Sequence, residues 1–121
     1  MKKIMFIDNN KSIFEQIVDH IEATILSGDI KESEFIPSVR EFAVKNSVNP
    51  NTVAKAYQEL QRRELVQSIR GRGLQVSELK DSFLEKRKNQ ILLKQIDELK
   101  KTAKQLGLST TELKDLIKEK L

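Results

Sequence analysis

The tetrapeptide Asn49-Pro50-Asn51-Thr52 constrains the fold of this chain more than any other feature. Proline has no backbone N–H and a fixed φ, so it is accommodated in a helix only in the first turn, where that N–H would go unbonded anyway. An asparagine directly before it can cap the N–H groups that remain. A helix therefore begins at Pro50. Val53, Ala56, Tyr57 and Leu60 follow at helical spacing and form its buried stripe, while Asn51, Thr52 and Lys55 fall on the other face. Another helix precedes it. Pro37-Ser38-Val39-Arg40-Glu41 has the Ser-x-x-Glu spacing of a capping box, Val39, Phe42 and Ala43 give an apolar face, and Arg40 is left outside. Asn46-Ser47-Val48 makes the short connection between the two.

Downstream, Leu65 to Ile69 and Leu74 to Val76 read as short strands around Arg70-Gly71-Arg72-Gly73. The glycines permit positive φ and a close approach of backbone to a partner. Helix, turn, helix and basic-tipped hairpin, in that order, make a winged helix-turn-helix that binds double-stranded DNA. In such an arrangement Asn51 and Thr52 hydrogen-bond base edges or phosphates, with Lys55 one turn on. Arg40 clamps a phosphate or a guanine edge, and Ser38 and Asn49 lie near backbone phosphates. Arg70, Gly71 and Arg72 meet phosphate or the minor groove.

The stretch from Ile13 to Val76 resembles the DNA-binding domain of GntR-family transcription regulators. The resemblance rests on Phe14-Glu15-Gln16-Ile17, Ile25-Leu26-Ser27-Gly28, Ile36-Pro37-Ser38-Val39-Arg40-Glu41, Val48-Asn49-Pro50-Asn51-Thr52-Val53, Ala56-Tyr57-Gln58-Glu59-Leu60 and Arg70-Gly71-Arg72-Gly73. The Asn-Pro-Asn-Thr and Ala-Tyr blocks, with a short C-terminal region, are most similar to the YtrA subfamily. That resemblance implies a homodimeric repressor on a palindromic operator, governing a transporter operon. Ser33 and Glu64 stand where such proteins usually have glycine, and are expected to modify their turns without abolishing the fold. Ala54 stands where many carry a basic residue, so one common DNA contact is missing.

The first helix starts at Ser12, whose spacing to Glu15 again suits a capping box, and ends at Gly28. Ile13, Ile17, Ile21 and Ile25 form its stripe, widened by Phe14, Val18 and Leu26. His20, the sole histidine, lies off the stripe as a surface residue or dimer contact; with no cysteine or carboxylate cluster beside it, it makes no metal site. The segment Met1 to Ile7 is too short an apolar run for a signal peptide or membrane span, and is expected to form a short strand or arm. Absence of cysteine excludes disulfides and thiol chemistry and suits the cytoplasm. No nucleophile–histidine pairing, phosphate-binding glycine loop or cofactor motif supports an enzyme.

Charge is distributed unevenly. Residues 1–37 hold four basic and seven acidic side chains, residues 38–77 seven and three, and residues 78–121 eleven and eight. The excess over the motif is the footprint expected on phosphate.

The chain is thus read as mainly α with a small β-wing: residues 1–77 form the DNA-binding domain with its N-terminal arm, and residues 78–121 a two-helix dimerisation and effector region. Phe83 to Leu106 makes a long helix, on which Leu92, Ile96, Leu99, Ala103 and Leu106 are four, three, four and three residues apart, the spacing of a helix seam. Gly107 breaks that helix; Ser109-Thr110-Thr111-Glu112 caps another, with Leu113, Leu116 and Ile117 on one face. Pairing two copies buries these faces and aligns two half-sites; folding back onto the winged domain is the alternative. A small-molecule effector acting on the paired helices has no recognisable ligand group in the sequence. A winged module that binds protein in place of DNA is the alternative function.

Overall fold

The computed structural model describes every residue except Lys2, Met5 and Ile7. It contains α1 (Ile13–Leu26), α2 (Val39–Asn46), α3 (Pro50–Arg62), β1 (Val66–Ile69), β2 (Gly73–Val76), α4 (Asp81–Gln105) and α5 (Thr110–Lys120). The fold is mainly helical with a two-stranded antiparallel wing. It divides into two units, Met1–Lys80 and Asp81–Leu121.

Local sequence sets the helix starts. Ser38 Oγ accepts from the Glu41 N–H at 3.1 Å while the Glu41 carboxylate accepts from the Ser38 N–H at 3.4 Å, completing the capping box of α2. Asn49 Oδ1 accepts from the Asn51 N–H at 2.8 Å, and Pro50 occupies the first position of α3. Ser12 caps α1 through the Glu15 N–H, but the Glu15 carboxylate takes the Ser12 hydroxyl and not its amide, so the expected box is half formed.

The helix ends show a shared device. After α3, Glu64 N–H bonds to Gln61 O at 2.9 Å and Leu65 N–H to Leu60 O at 3.1 Å, a Schellman turn that needs left-handed backbone at Glu64. Glu64 adopts it, with φ 61°, and Ser33 does likewise at 72°. These two turns are therefore kept in glycine-like form and not modified as expected, at the cost of backbone strain. Asn46 belongs to α2 and not to the connection: Ser47, at φ 53°, makes the turn, with Val48 N–H bonded to Ala43 O.

Within the first unit α3 packs against both α1 and α2. Ile17, Val18, Ile21 and Ile25 from α1, Phe42 and Ala43 from α2, and Val53, Ala56, Tyr57 and Leu60 from α3 form one core with Leu65, Val66 and Val76 of the wing. Ile13, at the first helical position with its Cβ tilted back toward the open end, stays 39% exposed. His20 is half-buried; burial, with the N-terminal amine nearby, lowers its pKa and favours the neutral ring. Arg63 pairs with the buried Glu22 at 3.1 Å, tying the end of α3 to α1.

Of the N-terminal segment, Lys2, Met5 and Ile7 lie outside the described residues, and the others form an arm with no strand. Ile4 is buried, and its N–H donates to Asn46 Oδ1 at 2.8 Å. A third extended segment was not foreseen. Phe35 bridges Gln75, and N–H groups of Ser33, Ile36 and Val76 bond across to Val76, Leu74 and Glu34, so residues 33–36 run along the free edge of β2.

In the second unit α4 ends at Gln105, one residue before the expected Leu106, and Gly107 at φ 79° closes a Schellman turn in which Leu108 N–H bonds to Ala103 O. The Ser109–Glu112 capping box forms at 3.1 Å in both directions. No helix among the described residues is long and apolar enough to cross a membrane.

Candidate nucleic-acid interface

Three pieces of backbone carry the residues singled out for DNA. The start of α2 holds Ser38 and Arg40, the start of α3 holds Asn49, Asn51, Thr52 and Lys55, and the hairpin holds Arg70, Gly71 and Arg72. All are exposed except Thr52, which is half-buried. The two helices are locked at their junction by Tyr57, whose hydroxyl donates to Pro37 O at 2.7 Å. Its ring meets Phe42 edge-on, 6.0 Å between centroids. One aromatic side chain thus fixes where α2 begins relative to α3.

Capping decides which polar atoms are left for a ligand. The oxygens of Ser38 and Asn49 are occupied by backbone N–H groups. What they retain are donors, the Ser38 hydroxyl proton and the Asn49 amide N–H pair, which suits phosphate oxygen as acceptor. Both helix starts also point free backbone N–H ends outward, favourable for anions.

Charge pairing separates the basic residues into two groups. Arg62 pairs with Glu59 at 2.7 Å, and Arg63 with Glu22 and Glu59, so the cations at the far end of α3 are neutralised. The Arg62 guanidinium correspondingly holds the Glu59 carboxyl below its usual pKa. Among the described residues no carboxylate forms an ion pair with Arg40, Lys55, Arg70 or Arg72. The uncompensated charge lies at the start of α2, on α3 and on the wing.

At the wing, Ile69 pairs with Gly73 and the Arg72 N–H closes onto Ile69 O at 2.9 Å. Gly71 and Gly73 have φ of 76° and 109°, and a Cβ at either would touch nothing in the chain. Their glycines are needed for backbone conformation, not for internal space. Arg72 lies over the Phe35 ring, its guanidinium carbon 4.7 Å from the centroid. Sequence inspection did not single out Phe35. The available signal was Pro37, which biases Ile36 toward extended backbone and so makes a strand-like approach to α2.

Of the seam residues, Ala103 and Leu113 are buried in the second unit, where α4 and α5 contact one another. Spacing marks an apolar stripe but not which helix covers it, and these two are covered within their own unit. Leu92, Ile96, Leu99, Leu106, Leu116 and Ile117 remain exposed, from 37% at Ile117 to 73% at Leu106.

A helix pair with capped, donor-rich starts, followed by an arginine-tipped hairpin, defines a winged helix-turn-helix DNA-binding regulator. Residues 13–76 match the family described as bacterial regulatory proteins, gntR family. The chain belongs to that family, whose members are regulators and not enzymes. It is 37% identical over 107 residues to the HTH-type transcriptional repressor YtrA of Bacillus subtilis, covering 88% of this chain and 82% of that protein. A GntR family transcriptional regulator from Listeria monocytogenes has the same fold, with TM-score 0.82 and 30% identity over 93% of this chain and 97% of the other. The DNA-binding domain of AraR, solved in complex with operator ORX1, shares the fold at TM-score 0.53 and 23% identity, covering 63% of this chain and 93% of that one.

Proposed function

We propose that the chain is a cytoplasmic, homodimeric repressor that binds a two-fold symmetric operator. The observation that carries the DNA contact is the set of unpaired cations, Arg40 on α2, Lys55 on α3 and Arg70 and Arg72 on the wing, together with the exposed Asn51 and half-buried Thr52 in the first turn of α3. Phosphate contacts by the arginines would position α3, whose first turn would read base edges. Similarity to the repressor YtrA supports repression, and the YtrA-like resemblance extends the proposal to control of a transporter operon.

Dimerisation is supported by the exposed stripe of Leu92, Ile96, Leu99 and Leu106 on α4. Such a stripe on a helix of 25 residues is the pattern two copies would cover. One reading helix spans few base pairs, so joining two gains affinity through effective concentration. An effector would act by changing the angle between the paired helices and hence the half-site spacing.

The test is selection from a random duplex pool, with recovered sequences measured at two salt concentrations against nonspecific competitor. Enrichment of a symmetric site supports the proposal and points to its target genes. Binding without sequence preference would favour the protein-interaction alternative. Arg40→Ala should weaken binding and lower the salt slope by about one unit if the guanidinium contacts phosphate.

A further inference from the structure

We infer that Phe35 is a positioning residue for DNA binding: it holds the Arg72 guanidinium in place at the wing before DNA arrives. The inference rests on the DNA-binding role of the wing given above. Three observations lead to it. The guanidinium carbon of Arg72 sits 4.7 Å from the Phe35 ring centroid, within cation–π range. Phe35 is itself fixed, because its backbone bridges Gln75 on β2 and the neighbouring Ile36 N–H bonds to Leu74 O at 3.0 Å. Gln75 reinforces that link by donating from its side chain to Ser33 O at 3.1 Å.

An arginine on a glycine-flanked turn would otherwise sample many rotamers. Ordering one such side chain at an interface is a recognised cost of binding. A ring beneath the guanidinium restricts that freedom yet leaves its edge N–H groups to face a phosphate or the minor groove, since a stacked guanidinium donates in its own plane. Segment 33–38 has a second consequence. It carries Phe35 under the wing arginine and, three residues later, Ser38 at the start of α2, so the wing and the helix pair take their positions from one short piece of chain.

The experiment compares the full chain with Phe35→Leu, Phe35→Tyr, Arg72→Ala and the Phe35→Leu/Arg72→Ala double variant on a random-sequence duplex at low salt and on the duplex recovered by selection. Phe35→Leu keeps an apolar side chain and the backbone bridge but removes the π face. It should weaken binding roughly two- to tenfold, Phe35→Tyr should restore it, and the loss should vanish when Arg72 is already alanine. A merely structural role for Phe35 would weaken the Arg72→Ala background equally. Ring-current shifts give a readout without DNA: the Arg72 side-chain protons should move downfield in Phe35→Leu and not in Phe35→Tyr. If Arg72→Ala binds like the parent, the wing reading fails and the inference with it. If Arg72→Ala weakens binding while Phe35→Leu binds equally or more tightly, the wing reading stands and the positioning role of Phe35 is overturned.

Discussion

The winged unit and the helical unit follow the same local rules and differ in what becomes of their apolar side chains. Both start helices with Ser-x-x-Glu capping boxes and both end them with Schellman turns. In the winged unit Ile17, Phe42 and Leu60 are almost wholly buried; in the helical unit Leu92 is 56% exposed. Three helices and a hairpin can surround a core, whereas two successive helices have no third layer to close theirs. Capping makes a helix. Only tertiary or quaternary partners make it bury its stripe.

The most severe test of this contrast is to charge the open stripe. Ile96→Asp with Leu99→Asp should convert a dimer to a monomer in sedimentation and lower affinity for the selected duplex by about a hundredfold or more. An unchanged sedimenting mass would mean the stripe is not the dimer surface. In that same background, truncation should separate the two units. Leu60→Ala, at a position with no exposed surface, should destabilise the winged unit by about 2–5 kcal/mol in denaturant unfolding. Leu92→Ala should change unfolding by less than about 0.5 kcal/mol. Equal losses from the two truncations would erase the distinction.

What was legible in the sequence follows the same division. Capping boxes, the Pro50 helix start and the glycine-flanked hairpin involve residues within a few positions of each other, so residue type and spacing suffice to read them. Phe35 against Gln75, Tyr57 against Pro37, Arg63 against Glu22 and Ile4 against Asn46 join distant positions, and spacing carries no trace of them. Of the site, the residue types at the helix starts and wing were visible. The division of the cations into paired Arg62 and Arg63 and unpaired Arg40, Lys55, Arg70 and Arg72 was not, because it depends on which carboxylate folds beside which arginine. Ala103 shows the converse limit: it fits the seam by spacing yet is buried in its own unit.

A smaller effect is expected at Tyr57. Removing its hydroxyl in Tyr57→Phe leaves Pro37 O without that donor and should cost about 1 kcal/mol. Burial, with Glu41 adding to it, raises the Tyr57 phenol above its ordinary value of 10.0. The folded chain therefore holds this proton more tightly than the unfolded chain. The stability from that difference is present below about pH 10 and is lost as pH rises beyond it toward the folded value. The gap between parent and Tyr57→Phe should accordingly narrow above pH 10. Tyr57 is the chain's single tyrosine, so tyrosinate absorbance reports it directly. Titration of the folded chain at the ordinary phenol value would remove the link.

The smallest effect sharpens the comparison at the helix ends. Both units close a helix with a left-handed residue, but α4 uses Gly107 where α3 uses Glu64, at φ 79° and 61° respectively. Left-handed backbone costs a residue with a Cβ about 1–2 kcal/mol. Glycine escapes that strain but loses more backbone entropy on folding, about 0.5–1 kcal/mol relative to alanine. The difference leaves Glu64→Gly stabilising by roughly 0.5–1 kcal/mol, provided the Leu65 N–H to Leu60 O bond that closes the turn is kept. Glu64 is exposed and forms no ion pair with Arg62 or Arg63, which use Glu59 and Glu22, so little is lost with the carboxylate. Gly107→Ala should move the other way by a similar amount, since a Cβ there meets no neighbour and only the backbone objects. Chemical denaturation of both variants measures the pair. If Glu64→Gly destabilises the chain, the strain assigned to that turn is absent and the carboxylate has a role that its exposed position does not reveal.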